Sequence, residues 1–330
     1  MNIPEITHYE DGIIQVKMAM SYPLRWVNSY LLRGPSGGVT VIDPGPRTAE
    51  NEAAWNKVLD ELDIRFGNVE SVVLTHHHPD HLGLSGWFQE KAGCPVRMSA
   101  RAAEEMQRMW GEASTMNDDL PLLFRQHGMP EAWTSQLPAH LESFFPQVEP
   151  LPAALPLTEG EPLKMGGRRW TPIETWGHAP GHMSLLHEES GVMLCGDAVL
   201  PQISPNVSLL PGSDPEPLHS FMSGLRKLQG FQVKRAYPGH RNPFDHFEAR
   251  LEALLQHHEE RLVRVLGRIQ AGPVTGFELC AALFGTALGI HQMRFAMCET
   301  LAHTQELERR GQVMKVPGHD GIFRYEAAVT

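Results

Sequence analysis

The stretch Thr75-His76-His77-His78-Pro79-Asp80-His81 decides how this chain is read. It follows a short apolar run, residues 69–75, that reads as a buried strand, and the polar cluster begins where the run stops. Four histidines and an aspartate at a strand end offer imidazole and carboxylate donors without a long loop. Alternation along an extended chain points His76 and His78 the same way, so both can reach one metal ion. Pro79 then turns the chain, which lets Asp80 and His81 address a neighbouring position. A solvated histidine-rich loop is the bland alternative, and it accounts for neither the spacing nor the strand-end setting.

Working outward, residues 13–20, 24–33 and 38–43 read as strands, the last ending in Asp43-Pro44-Gly45. Residues 48–66 carry Trp55, Val58, Leu59 and Leu62 at helical spacing, and 82–92 predict a second helix after the cluster. This order of strands and helices indicates an α/β sandwich. Residues 99–147 differ: they predict helices, are dense in methionine and aromatic side chains, and form an insertion the core does not require. Strand signals return at 163–175, 183–187 and 192–195, then a helix at 216–229 and a short strand into Tyr237-Pro238-Gly239-His240. One long amphipathic helix is expected over 244–270, with His258 on its buried side. Helices at 276–284 and 291–310 and two short strands turning at 317–321 complete a small winged-helix-like unit. The expected domains are therefore 1–245, holding the 99–147 insertion, and 246–330.

Three later turns supply what the first cluster needs to close. Gly177-His178-Ala179-Pro180-Gly181-His182 places histidine in a Gly/Pro turn between strands, Leu194-Cys195-Gly196-Asp197 ends a strand in a lone acid, and Tyr237-Pro238-Gly239-His240 repeats the strand-turn-histidine pattern. With these residues in hand, the sequence resembles the metallo-β-lactamase superfamily over roughly residues 12–245. The resemblance implies an αββα sandwich with a dinuclear site at one edge of its two sheets. It implies a first metal on His76, His78 and His182, a second on Asp80, His81 and His240, and Asp197 between them. His77 and His178 fall inside the motifs but outside that ligand set. Asp43 matches an early strand-end aspartate that supports the ligands through hydrogen bonds. The C-terminal part is similar to the winged-helix appendage of the lactamase-β-like-2 subgroup, which includes endoribonucleases and thioesterases. That subgroup usually has glycine where Arg241 stands, so Arg241 is expected to narrow the pocket, to bind a substrate carboxylate, or to face solvent.

Two divalent cations, zinc favoured over iron or manganese, can activate a shared water and polarise a carbonyl or phosphoryl oxygen. Asp80 is the expected proton-handling residue. No Gly-x-Ser-x-Gly elbow is present to suggest a serine hydrolase. A net charge of -11 argues against nucleic acid as a partner, and residues 257–330 are balanced in charge, so the winged-helix-like unit is expected to be structural or a homodimer contact. Trp110, Phe124 and Trp133 in the insertion are candidate contacts for a hydrophobic acyl substrate, the insertion then lying as a lid across the metal crevice. Packing onto the sandwich or a second subunit is their alternative role. Hydrolysis of an ester, lactone or thioester is the expected reaction. A phosphodiesterase or endoribonuclease and a non-catalytic metal protein are the alternatives. No run suits a membrane span, the start of the chain lacks a basic and apolar leader pattern, and four scattered cysteines suit a reducing compartment, which points to the cytoplasm.

Overall fold

The computed structural model describes residues 3–21 and 24–328; the first two residues, part of the stretch read above for a leader, lie outside the described residues, as do 22–23 and 329–330. The first sheet is built in chain order from β1 (Ile6–His8), β2 (Ile13–Ala19), β3 (Trp26–Arg33), β4 (Val39–Ile42), β5 (Val69–Val73), β6 (Val96–Met98) and β7 (Ala154–Pro156). Its first four strands pair antiparallel and its last four parallel. The second sheet comprises β8 (Leu163–Met165), β9 (Arg168–Thr175), β10 (His182–His187), β11 (Val192–Gly196) and β12 (Arg235–Pro238), lying side by side in that order. Residues 163–175, expected as one strand, break into β8 and β9 because Gly166 and Gly167 turn there at φ 58° and 77°. A side chain on Gly166 would also strike Leu32, 2.9 Å from its Cβ position.

Alternation along the strands sorts side chains between three cores. Ile13, Tyr30, Leu32, Ile42 and Val73 of the first sheet meet Trp170, Met183, Leu185, Leu194 and Tyr237 of the second, which makes the layer between the sheets. Their neighbours Val16, Leu31, Val41 and Val72 turn outward onto α1 (Ala49–Glu61), α2 (Pro79–Leu82) and α3 (Ser85–Ala92). Thr48 caps α1 by accepting from the Asn51 N–H at 3.0 Å. Trp55 from that helix is fully buried against Phe88 and donates its indole N–H to the Pro44 oxygen at 2.7 Å.

The insertion folds as α4 (Ala100–Trp110), α5 (Met116–Gln126), α6 (Glu131–Thr134) and α7 (Leu137–Glu142). Its Met106, Leu120, Phe124, Leu137 and Leu141 join the outer core of the first sheet, together with Met297 and Leu301 from the C-terminal part. Behind the second sheet, α8 (Pro217–Leu228) and α9 (Phe247–Gln270) bury Phe221, Leu225, Leu251 and Leu254. The chain ends in α10 (Gly276–Phe284), α11 (Ile290–Arg309) and a small sheet of β13 (Val274–Thr275), β14 (Val313–Pro317) and β15 (Phe323–Ala327), with β15 in the middle. All four cysteines are buried free thiols.

The expected buried role of His258 holds, and it has a partner in His303 on α11, 3.2 Å away. His303 Nδ1 faces the Glu299 carbonyl at 2.7 Å and must donate to it, so its Nε2 accepts from the His258 Nδ1–H. Both rings are therefore neutral. Burial lowers the His258 pKa to about 2 and holds His303 well below the usual range. The unfolded chain, whose histidines titrate near ~6.5, then binds more protons below that pH than the folded chain does. Stability should fall as pH drops from 7.5 to 5.5, by about 1.4 kcal/mol per pH unit per histidine once below ~6.5. Melting temperatures of wild type and His258→Leu across that range check this; an unaltered slope in the variant would exclude the pair as its source.

Candidate metal centre

Strand ends at one edge of the sandwich bring the polar residues together. Asp43 follows β4 and Thr75 follows β5; the Asp43 carboxylate accepts the Thr75 N–H at 2.8 Å and its hydroxyl at 2.6 Å. Because the Thr75 hydroxyl proton is thus directed to Asp43, its oxygen accepts the His76 Nδ1–H at 2.9 Å. His81, on the short helix begun by Pro79, gives its Nδ1–H to Asp43 at 2.9 Å. His178 gives its Nδ1–H to the Asn206 carbonyl at 2.8 Å, and His240 to the Trp26 carbonyl at 3.1 Å. Each of these four rings consequently turns its Nε2 toward the same space.

Two donor groups result. His76, His78 and His178 form one, with His76 Nε2 3.0 Å from His78 Nδ1 and 3.4 Å from His178 Nε2. Asp80, His81 and His240 form the other, with Asp80 Oδ2 3.1 Å from His240 Nε2 and 3.7 Å from His81 Nε2. Asp197 Oδ2 lies between the groups, 3.7 Å from His178, 3.6 Å from His81 and 3.4 Å from His240. Asp43 also approaches His76 and His81, but its oxygens are already taken by Thr75 and His81.

The donor set fits divalent cations. Converging imidazole lone pairs repel unless a cation sits among them, and buried His81 Nε2 and Asp197 Oδ1 have no hydrogen-bond partner among the described residues. Burial holds His76, His78 and His178 below the usual imidazole range, in the neutral form that a metal requires. For Asp197 burial acts upward, but the charges of His240 and His81 outweigh it and keep the carboxyl ionised. Space is also tight: a Cβ on Gly239 would fall 2.2 Å from Asp197 Oδ1 and 2.6 Å from His81 Cε1.

One expected ligand is displaced by this geometry. His182 opens β10 and its Nε2 accepts the Asp197 backbone N–H at 3.1 Å, while its Nδ1 faces the Thr175 hydroxyl at 3.4 Å. Its one lone pair is therefore engaged, and His178, set aside in the sequence reading, takes its place in the cluster. Both histidines belong to one Gly/Pro turn, so the sequence offers two candidates and only the path of the turn chooses. His77 is buried outside the cluster, its carbonyl held by the Trp110 indole N–H at 3.0 Å.

The donors floor a cavity of about 490 Å³. Met109, Trp110 and Phe144 of the insertion form one wall, and Phe284, Leu288 and Phe295 of the C-terminal part form another. Trp110 is thus where the sequence reading placed it. Phe124 is not: it is fully buried in the outer core, and Trp133 packs on that same core, so neither lines the cavity. Arg241 is outside the lining as well; it adopts φ 72°, the conformation that suits glycine, and offers its carbonyl to the Asn28 amide at 2.6 Å. The C-terminal unit, expected to be structural or a dimer contact, also supplies a wall of the cavity, of which its charge balance carried no sign.

The family model of the metallo-beta-lactamase superfamily matches residues 23–240. The chain belongs to that superfamily. Residues 262–328 match a metallo-beta-lactamase-like C-terminal domain. A metallo-beta-lactamase family protein from Thermus thermophilus superposes with a TM-score of 0.86 at 36% identity, over 96% of this chain and 99% of that one. The probable metallo-hydrolase YqjP of Bacillus subtilis is 28% identical over 305 residues, 90% of this chain and 92% of that protein. An atrochrysone carboxyl ACP thioesterase of Aspergillus fumigatus is 24% identical over 276 residues, 79% of this chain and 69% of that protein.

His178→Ala should remove a metal donor, whereas His182→Ala should keep both donor groups and lose about 1–3 kcal/mol by stranding the Asp197 N–H. Elemental analysis together with denaturant unfolding separates them. Full metal content in His178→Ala alongside depletion in His182→Ala would reverse the assignment.

Proposed function

We propose that the protein is a metal-dependent hydrolase of an ester, lactone or thioester, with a hydrophobic acyl compound as substrate. The supporting observation is the ring of donors, buried or half-buried, beneath a cavity walled by Trp110, Phe144, Leu200, Phe284 and Phe295. His76, His78 and His178 would hold one cation, and Asp80, His81 and His240 a second, zinc being favoured by the imidazole-rich set. Asp197, set between the groups, would serve both. When bound, such ions supply a Lewis acid for the carbonyl and an acidified water.

The chain's own residues do the rest. Asp80 faces His240 through Oδ2, and its second carboxylate oxygen is left to accept the proton released as water attacks. Asp43 and Thr75 hold His76 and His81 in the required tautomers throughout. The apolar walls bind the acyl chain and exclude bulk water from the carbonyl. Among the described residues lining the cavity, Arg294 is the one lysine or arginine, and its guanidinium lies over the Phe295 ring at 4.3 Å. A polyanionic backbone would find few cations there, which favours the acyl reading over a phosphodiesterase or endoribonuclease. The thioesterase relative supports the same bond class. Among the described residues no helix is long and apolar enough to cross a membrane.

Acyl thioesters, lactones, nitrophenyl esters, bis-nitrophenyl phosphate and single-stranded RNA, assayed in parallel with metal-loaded protein, test this proposal. Acyl substrates should be preferred; faster phosphodiester cleavage sinks it, and inactivity at full metal occupancy would revive a non-catalytic role. Phe295→Ala should raise KM about tenfold for an octanoyl thioester, from roughly 60 Å² of lost apolar contact, and leave the acetyl thioester unchanged. Trp133→Ala should shift neither KM.

A further inference from the structure

The loop after Asp197 runs without a regular element to α8, yet it carries the carbonyl that orients His178. That loop is fastened to α11. Asn206, whose carbonyl takes the His178 proton, donates its side-chain amide to Glu299 Oε2 at 2.9 Å and to the Phe295 carbonyl at 3.3 Å. Its amide oxygen accepts from the Ser208 hydroxyl at 2.5 Å, and the Leu209 N–H reaches the Cys298 carbonyl at 3.2 Å. Glu299 is buried and is itself paired with Arg261 of α9. An unbroken chain of polar contacts therefore runs from the long helix through α11 to a donor of the cluster: Arg261, Glu299, Asn206, His178.

We propose that Glu299 of the C-terminal part is a positioning residue for the metal centre, acting through Asn206 on His178. This rests on the reading of His178 as a donor given above. The physical reason is that the Asn206 carbonyl sets the His178 tautomer. Only with Nδ1 protonated does the Nε2 lone pair face His76 and His78. A loop of this length has no internal ladder to hold one carbonyl in place, so the amide–carboxylate contact to α11 supplies the constraint. The C-terminal part then does more than wall the cavity: it completes the first donor group. Glu299 lines the cavity, but its polar contacts run to Asn206 and Arg261 and to none of the donors, so its effect reaches the metal centre through geometry.

The test uses the full chain loaded with cobalt(II), whose visible spectrum reports the coordination of each ion, together with chelator competition. Glu299→Ala should weaken the ion held by His76, His78 and His178 by about 10–100-fold and leave the other ion's affinity as in wild type. Glu299→Gln keeps an oxygen for the Asn206 amide and should restore binding to within about threefold, a recovery that loss of the Arg261 ion pair alone would not permit. If Glu299→Ala does not fold, Asn206→Ala, which leaves the Arg261–Glu299 pair intact, should reproduce the selective loss. Wild-type affinity at both ions in the alanine variants, or equal losses in Glu299→Ala and Glu299→Gln, overturns the proposal while leaving the donor assignment standing. Failure of the wild-type chain to bind cobalt(II) at all would overturn the donor assignment and this proposal with it.

Discussion

Three hydrogen bonds to one buried carboxylate hold the centre together. Asp43 accepts from the Thr75 backbone, the Thr75 hydroxyl and His81 Nδ1, and so ties the ends of β4 and β5 to the first turn of α2. It does so from φ 48°, a left-handed conformation that costs an L-residue roughly 1–2 kcal/mol and that aspartate tolerates better than most. Two donors depend on it, His81 directly and His76 through the Thr75 hydroxyl. An uncompensated carboxylate at this depth would be costly, but here two of the three bonds it accepts also fix a tautomer, that of His81 directly and that of His76 through the Thr75 hydroxyl. Stability of the strand ends and readiness of the donors are one property.

The second sheet supplies its share by a different device. Its donors stand on turns, and the turn that carries His240 is held from the first sheet. The Asn28 backbone N–H reaches the Gly239 carbonyl at 2.7 Å, its side chain reaches the Pro238 carbonyl at 2.9 Å, and the Tyr30 hydroxyl reaches that same carbonyl at 2.6 Å. His240 is therefore placed by β3 although it belongs to the turn after β12. Glycine at 239 is needed because Asp197 and His81 leave no space for a Cβ. Such crossings between sheets explain why the cluster forms only when both sheets are assembled.

Around this rigid floor the walls come from two later additions. The insertion and the C-terminal helices share one apolar core with the outer face of the first sheet, so they are continuous packing layers. Trp110 shows how the two roles meet: its ring faces the cavity while its indole N–H holds the His77 carbonyl, next to the donors. Phe124 and Trp133, of the same chemical kind, serve packing alone. Composition marks the segment as apolar and cannot say which way each ring turns.

The amino-acid sequence by itself determined the alternation of strands and helices, the order of the elements and the positions of most donors. Those features are local: period-two and helical spacing, a proline after His78, glycine beside each later donor. Even the C-terminal helices were legible within a residue or two, because their apolar stripes and caps are written in nearby residues. Tertiary structure alone decided between His178 and His182, since the choice depends on which ring meets the Asp197 N–H and which the Asn206 carbonyl, contacts spanning 15 and 28 residues. It also decided that Phe295 and Glu299, far along the chain from the turn that holds His178, belong to the site at all. A side chain's direction is set by the neighbours that folding brings to it, and those neighbours are not local in the chain.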